Sequence, residues 1–332
     1  MSLQIPDDEI EVDTSDDDSS FDCASLVDSN KSLASSVRDY NYENGRRYHA
    51  YRQGEYPFPN DQEEQERLDL IHLLFKMTIG DALYRAPISS SARRILDFGT
   101  GTGIWAIEMA ELFPATEIIG TDLSPIQPTW APSNCRFYID DVESEWTYGP
   151  NEAFDYIHGR AMAGGIADWA KLFQRIYDHL RPGGWVELQE YEAWIHSDDG
   201  TLEQAPTIVD WQLKLDDASR RFGKQFNVAG TLKQKMVDAG FVNVRDDVFK
   251  VPIGPWAKDP RLKQMGRLAL VSVIQSVEPF TLALFTRVLR FTCEEAQAYM
   301  AKVRVDLSNP ACHLYGKYHF VYGQKPTHGD DA

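Results

Sequence analysis

Apolar positions along this chain follow two different periods. Leu68, Ile71, Phe75 and Ile79 recur three or four residues apart, which predicts a helix over about 62–84, ended by Pro87. From residue 93 onward, short apolar runs alternate with helical patterns. They predict strands at 93–98, 116–121, 136–139, 154–158 and 185–190, and helices at 103–113 and 166–180. In the second of these helices Ile166, Trp169, Leu172, Phe173, Ile176 and Leu180 share one face. Strands alternating with helices predict an α/β fold with a doubly wound parallel sheet.

The remaining pattern adds to that sheet. Residues 191–229 read as an inserted helical segment, and a helix at 230–239 stops at Gly240. Strands at 241–251 and 313–324 are expected to be the last two of the sheet. Between them, 255–310 reads as a second helical insertion, whose final helix begins at Thr292 with Glu295 completing a capping box. The expected division is a tail at 1–37 and one domain at 38–326. Within it, an N-terminal lid spans 38–90, the core 91–190, 230–254 and 312–326, and a helical cap 191–229 and 255–311.

Charge changes the reading of the N-terminus. The 332 residues carry a net −18, and residues 1–30 hold ten acids and no Lys or Arg, so the rest of the chain carries only −8. Residues 1–37 are rich in Asp and Ser and are expected to be a disordered, solvated tail. The body lacks the clustered Lys and Arg of a duplex-binding surface, so no direct nucleic-acid contact is expected. Four widely spaced cysteines form no C-x-x-C pair, which argues against zinc or a disulfide framework. The acidic N-terminus does not resemble a signal or transit peptide, and the longest apolar run, near 268–274, is short of a bilayer span. The expectations are no metal, no membrane, and a cytoplasmic or nuclear location.

The candidate chemistry concentrates in Arg93-Arg94-Ile95-Leu96-Asp97-Phe98-Gly99-Thr100-Gly101-Thr102-Gly103. A strand ends in an acid, three glycines follow at alternate positions, and a helix begins at once. The next strand ends at Asp122, 19 residues after Gly103, about where a carboxylate meets a ribose. The spacing is not the G-x-G-x-x-G of dinucleotide sites. An acid two residues before the first glycine disfavours a pyrophosphate and suits the ammonium of an amino-acid-like ligand. The alternate-glycine form resembles motif I of class I methyltransferases that use S-adenosylmethionine (SAM).

That resemblance assigns parts. Gly99, Thr100, Gly101 and Gly103 would let backbone approach the methionyl group, and Asp97 would take its ammonium directly or through water. Asp122, followed by Leu123, would accept the ribose hydroxyls. Asp141, with Val142 after it, would receive the adenine edge. His158 would touch substrate or act as a base, the other reading being a buried hydrogen-bonding histidine. Tyr48 and His49, in the Tyr- and Arg-rich stretch 42–56, would form a lid over the cofactor, or else a packed aromatic arm.

The body of the chain, roughly 38–326, resembles the fungal LaeA-like methyltransferases. The resemblance is carried by Tyr42-Glu43-Asn44-Gly45-Arg46-Arg47-Tyr48-His49, Pro59-Asn60-Asp61, Glu66-Arg67-Leu68-Asp69, Leu96 to Trp105, and Gly120-Thr121-Asp122-Leu123-Ser124-Pro125-Ile126-Gln127-Pro128. Phe154-Asp155-Tyr156-Ile157-His158, Leu180-Arg181-Pro182-Gly183-Gly184-Trp185 and Pro252-Ile253-Gly254-Pro255-Trp256 extend it. It implies a Rossmann-like class I methyltransferase sheet with a helical cap, SAM as cofactor and a role in secondary metabolism. The acceptor would be a small molecule or a protein. The rival expectations are a SAM-binding regulator working with velvet-type proteins, and a SAM-fold protein recruited to a non-methylating reaction on a metabolite.

Overall fold

The structure is a computed structural model, and it describes residues 10–12, 41–43, 45–48 and 56–327. The first two strands, β1 (Asn41–Glu43) and β2 (Arg46–Tyr48), form an antiparallel hairpin. The main sheet is built from β3 (Arg94–Phe98), β4 (Glu117–Asp122), β5 (Cys135–Ile139), β6 (Phe154–Arg160), β7 (Leu180–His196), β8 (Val242–Ile253) and β9 (Leu314–Gln324). Its order is β5-β4-β3-β6-β7-β9-β8. The pairs from β5 to β7 are parallel, while β9 runs antiparallel to both β7 and β8. The sheet is therefore mixed rather than wholly parallel. A long connection through the cap lets β9 enter from the opposite end, between β7 and β8.

Among the described residues seven α-helices accompany it: α1 (Gln62–Thr78), α2 (Ile104–Leu112), α3 (Trp169–His179), α4 (Pro206–Phe222), α5 (Leu232–Asp238), α6 (Pro260–Arg287) and α7 (Cys293–Leu307). On one face of the sheet α2 packs Trp105, Ala106 and Met109 against Ile95, Ile118 and Tyr156. On the other, Ile166, Trp169, Leu172, Phe173, Ile176 and Leu180 bury together against Phe154, Val186 and Leu188, as the helical spacing predicts. α4, α6 and α7 share a separate core around Trp211, Phe285 and Met300. The capping box at Thr292 and Glu295 is present. By length and composition α6 is apolar enough to cross a membrane, yet fourteen of its residues are buried within this fold.

Three expectations are corrected. The first helix ends at Thr78 rather than near Tyr84, because Gly80 and Asp81 turn to positive φ and the Asp81 amide donates back to the Lys76 carbonyl. β7 continues through residues 191–196, which were expected to be helical, since Tyr191, Ile195 and His196 pair with Tyr318, Gly316 and Tyr315 of β9. The tail is not wholly separate from the fold. Ile10 is buried in the cluster of Ile71, Phe75 and Met265, Val12 bridges Ala257, and the Glu11 carboxylate meets Lys258 Nζ at 2.8 Å. The rest of 1–37 lies outside the described residues.

Candidate functional site

The strand order places a crevice at the carboxyl ends of β3, β4 and β6. After β3 the chain builds outward through β4 and β5, then returns to the other side of β3 as β6. Such a reversal is where α/β sheets bind ligands. A cleft of about 990 Å³, open to solvent, lies there, lined by Gly99, Gly101, Asp122, Asp141, Val142 and Arg160 among others. It adjoins a smaller recess that holds Asp97, Thr100, Thr102 and His158.

The glycine turn is shaped from both sides. Gly101 has φ 57° and presents its backbone to the cleft, with the Leu68 methyl 3.4 Å from where a Cβ would stand. Its amide donates to Asp122 Oδ2 at 2.8 Å, and Asp122 Oδ1 accepts from the Ser124 amide at 2.9 Å. The Gln127 amide group ties the same loops, donating to the Gly101 and Ser124 carbonyls at 2.7 and 2.9 Å. Burial pushes the Asp122 carboxyl up to about 6, against the pull of the Ser124 and Gly101 amides, and the nearby Asp97 adds to the rise.

Asp97 supports this turn from beneath. One oxygen accepts the Thr100 hydroxyl at 2.6 Å and the other lies 2.7 Å from His158 Nδ1. The pairing follows from register, since Asp97 sits opposite His158 in the β3–β6 ladder. The His158 ring stacks on Trp105 at 3.7 Å, is fully buried, and leaves Nε2 without a partner. His158 is thus a positioning residue for Asp97 rather than a base facing the acceptor: it does not line the larger cleft.

Gly103 also differs from expectation. It lines neither cavity; it starts α2 at φ 81°, and a Cβ there would stand 2.6 Å from the Phe137 ring. Its role is close packing of β5 on the turn. Leu123, Asp141 and Val142 all line the cleft, and Asp141 also caps its own turn through the Glu143 amide at 2.9 Å. Tyr48 is buried away from the cleft, its ring 5.5 Å from the Arg287 guanidinium. It therefore leaves the site. The hairpin around it is bound to the body: Arg46 forms two hydrogen bonds to Asp61, at 2.6 and 2.8 Å, and Glu43 pairs with Arg287. His49 lies outside the described residues.

Several further residues line the cleft, and of these Tyr56 falls in the stretch 42–56 expected to cover the cofactor. Tyr56 and Asn60 close the cleft from the N-terminal side, with Asn60 Nδ2 donating to Ser124 Oγ at 3.1 Å. Lys224 reaches in from beyond α4, holding Glu143 at 3.0 Å and the Gly165 carbonyl at 2.8 Å. The loop 161–165 is fixed by the buried Glu190, which accepts the Met162 amide at 2.6 Å and is pushed by burial up to about 8. Asn60 and Arg67 sit in segments that the family resemblance marks, which is the one sequence signal available for them.

A second cavity of about 690 Å³ opens under α6. Its walls are mostly apolar and include Trp194, Trp211, Leu215, Val273 and Ile253. It shares Tyr191 and Phe280 with the first cleft. At that boundary Arg67 pairs with Glu64 at 2.8 Å, donates to Ser276 Oγ at 3.1 Å and lies 5.4 Å from the Phe280 ring. Burial holds the Tyr191 hydroxyl up at about 12, so it stays protonated and can donate at this junction.

The chain is similar to several known proteins. A family model described as a methyltransferase domain matches residues 62–246. A protein named methyltransferase pytC, from Aspergillus terreus, is 45% identical over 296 residues, 89% of this chain and 91% of its own. The secondary metabolism regulator LAE1 of Cochliobolus heterostrophus is 36% identical, covering 87% of this chain and 96% of its own. A protein-methionine methyltransferase, laeA of Emericella nidulans, is also 36% identical, with coverage of 86% and 77%. Among solved structures, a Haemonchus contortus phosphoethanolamine N-methyltransferase 2 in complex with SAM aligns at TM-score 0.43 and 21% identity, over 79% of this chain and 52% of its own.

Proposed function

We propose a role for this chain from one settled premise: it belongs to the fungal LaeA-like family of SAM-dependent methyltransferases. Within that family we read it as an enzyme that methylates a largely apolar small molecule of secondary metabolism. The observation that carries the reading is the apolar cavity under α6, which shares Tyr191 and Phe280 with the cofactor cleft. A concave, largely apolar lining suits a small ligand rather than a flat protein surface.

The residues fit SAM in kind. The turn at Gly101, with only the Leu68 methyl close to it, leaves room for close approach, while Gly99 is packed by the Met162 side chain; Asp122 stands as an acid at the end of β4. SAM supplies a sulfonium-activated methyl group, so the protein's task is chiefly alignment. Gly101 and Asp122 hold one another, which presets the spacing of turn and ribose acceptor. Tyr191 and Phe280 mark where the acceptor's reacting end would enter, and the apolar walls exclude water around it.

The test is transfer of labelled methyl from SAM to a fungal small-molecule extract and, separately, to fungal protein. Label in an organic-soluble product supports the reading, and label only in protein overturns it. Val273→Trp fills the apolar cavity. It should abolish small-molecule methylation while leaving SAM affinity unchanged.

A second reading has support in the regulator names of relatives at 35–37% identity. In it the chain works in the nucleus beside velvet-type proteins and turns over little. Purification of the tagged protein from nuclei with such a partner, in the absence of any methylated product, would favour that reading. The enzyme reading places it in the cytoplasm, the nucleus or both.

A further inference from the structure

Arg160 ends β6 and lines both the cleft and the recess that holds Asp97, Gly99, Gly101 and Thr102. Among the described residues its guanidinium makes no hydrogen bond or ion pair; its ring contact is with Phe75 at 5.6 Å. The carboxylates nearby already have partners. Asp97 serves Thr100 and His158, Asp69 accepts the Thr102 hydroxyl at 2.7 Å, and Glu108 meets Lys76 at 2.7 Å and His72 at 3.2 Å. Burial holds Arg160 down at about 10, with the charges of Asp97, Glu108 and Asp69 only partly offsetting it. A half-buried cation with five donors and no acceptor is costly unless a ligand completes it.

Strand order says which ligand group arrives there. Asp122 ends β4, the glycine turn follows β3, and Arg160 ends β6, so they stand in the order β4-β3-β6 across the crevice. A ligand with its ribose at Asp122 and its chain across the glycine turn ends at Arg160. SAM carries a single carboxylate, at the methionyl end. The geometry points to Arg160 as the residue that receives the methionyl carboxylate of SAM. The planar guanidinium matches a carboxylate with two parallel hydrogen bonds, which a lysine ammonium cannot reproduce.

The experiment compares three ligands by calorimetry: SAM, decarboxylated SAM, and 5′-methylthioadenosine, which lacks the amino-acid chain. The wild type should prefer SAM over decarboxylated SAM by roughly 10- to 100-fold, the scale of a charge-assisted pair. Arg160→Gln should reduce that preference to under threefold while binding 5′-methylthioadenosine as the wild type does. Arg160→Lys should retain part of the preference. The readout is a ratio of affinities within one variant, so a general loss of stability does not imitate it. A preference undiminished in Arg160→Gln overturns the assignment and would leave Arg160 facing the acceptor instead. Equal loss of all three ligands overturns it as well, showing that Arg160 serves only the shape of the cleft.

Discussion

The Gly101 amide donates to Asp122 Oδ2 at 2.8 Å, joining the glycine turn after β3 to the acid that ends β4. The two elements that a SAM site needs are therefore one unit before any ligand binds. Asp122→Ala removes the proposed acceptor of the ribose and a brace of the turn. SAM affinity should fall roughly ten- to more than a hundred-fold, the cost of a charge-assisted bond lost (~1.5–3 kcal/mol). A change under threefold by calorimetry would reduce Asp122 to a turn residue.

The same acid sets a pH dependence. Its folded-state pKa is raised to about 6, chiefly by burial, so the carboxylate is ionised above pH 6 and protonates as pH falls through that value. SAM binding to the ionised form should weaken below pH 6 by roughly tenfold per pH unit at most. Asp122→Asn should bind weakly with no break near pH 6. A wild-type affinity flat from pH 7 to 5 would contradict the role.

Gly101 takes φ 57° on the wall of the cleft. Gly101→Val would strain the turn and place a branched side chain beside Leu68, where the ligand must pass. SAM binding should be lost while the far-UV spectrum is retained. Calorimetry showing wild-type affinity in a folded Gly101→Val protein would remove the turn from the site.

His158 is held between Asp97 at 2.7 Å and the Trp105 ring at 3.7 Å. As a positioning residue, its replacement by Gln should weaken SAM binding several-fold and leave the shape of the kcat pH profile unchanged. A general base would behave differently: kcat would drop by roughly a hundredfold or more and a limb of the profile would disappear.

Ile10 buries its side chain against α1 and α6, and Glu11 pairs with Lys258. Deleting residues 1–37 should lower the melting temperature by about 2–5 °C, on the scale of one buried isoleucine in a domain of this size. Ile10→Asp alone should reproduce most of the drop. An unchanged transition in both would show that the contact contributes nothing.

His319 is buried between Asp246, at 3.0 Å, and Glu192, at 3.3 Å. Burial alone would lower its pKa, but the two carboxylates outweigh it and raise the ring to about 9. The protonated ring between its two carboxylates therefore stabilises the fold fully below pH 6.5 and the contribution fades as pH rises through 9, roughly 3 kcal/mol in all. Urea midpoints of wild type and His319→Gln should converge between pH 7 and 9.5. Parallel curves would exclude the linkage.

Local pattern was enough for much of this molecule. The apolar run, the acid and the alternating glycines marked β3, the turn and α2. The spacing to Asp122 located the next strand end, and the face from Ile166 to Leu180 identified α3. Thr292 and Glu295 announced α7. Each of these signals is written within about twenty residues, where backbone preference and side-chain period act directly. The resemblance to a family added the cofactor and the neighbourhood of Asn60 and Arg67.

What tertiary structure decided is everything that depends on distant partners. Tyr191–His196 is strand because β9, over a hundred residues later, pairs with it. Gly103 is required by the ring of Phe137, His158 is enclosed by Trp105 and Asp97, and Tyr48 is covered by α6. The meeting of Tyr191 with Phe280 at the junction of two cavities, and the lone guanidinium of Arg160 among occupied acids, have no local signature. Periodicity states which face of an element is apolar. Only packing states what that face meets, and that meeting decides which polar groups are left to hold a ligand.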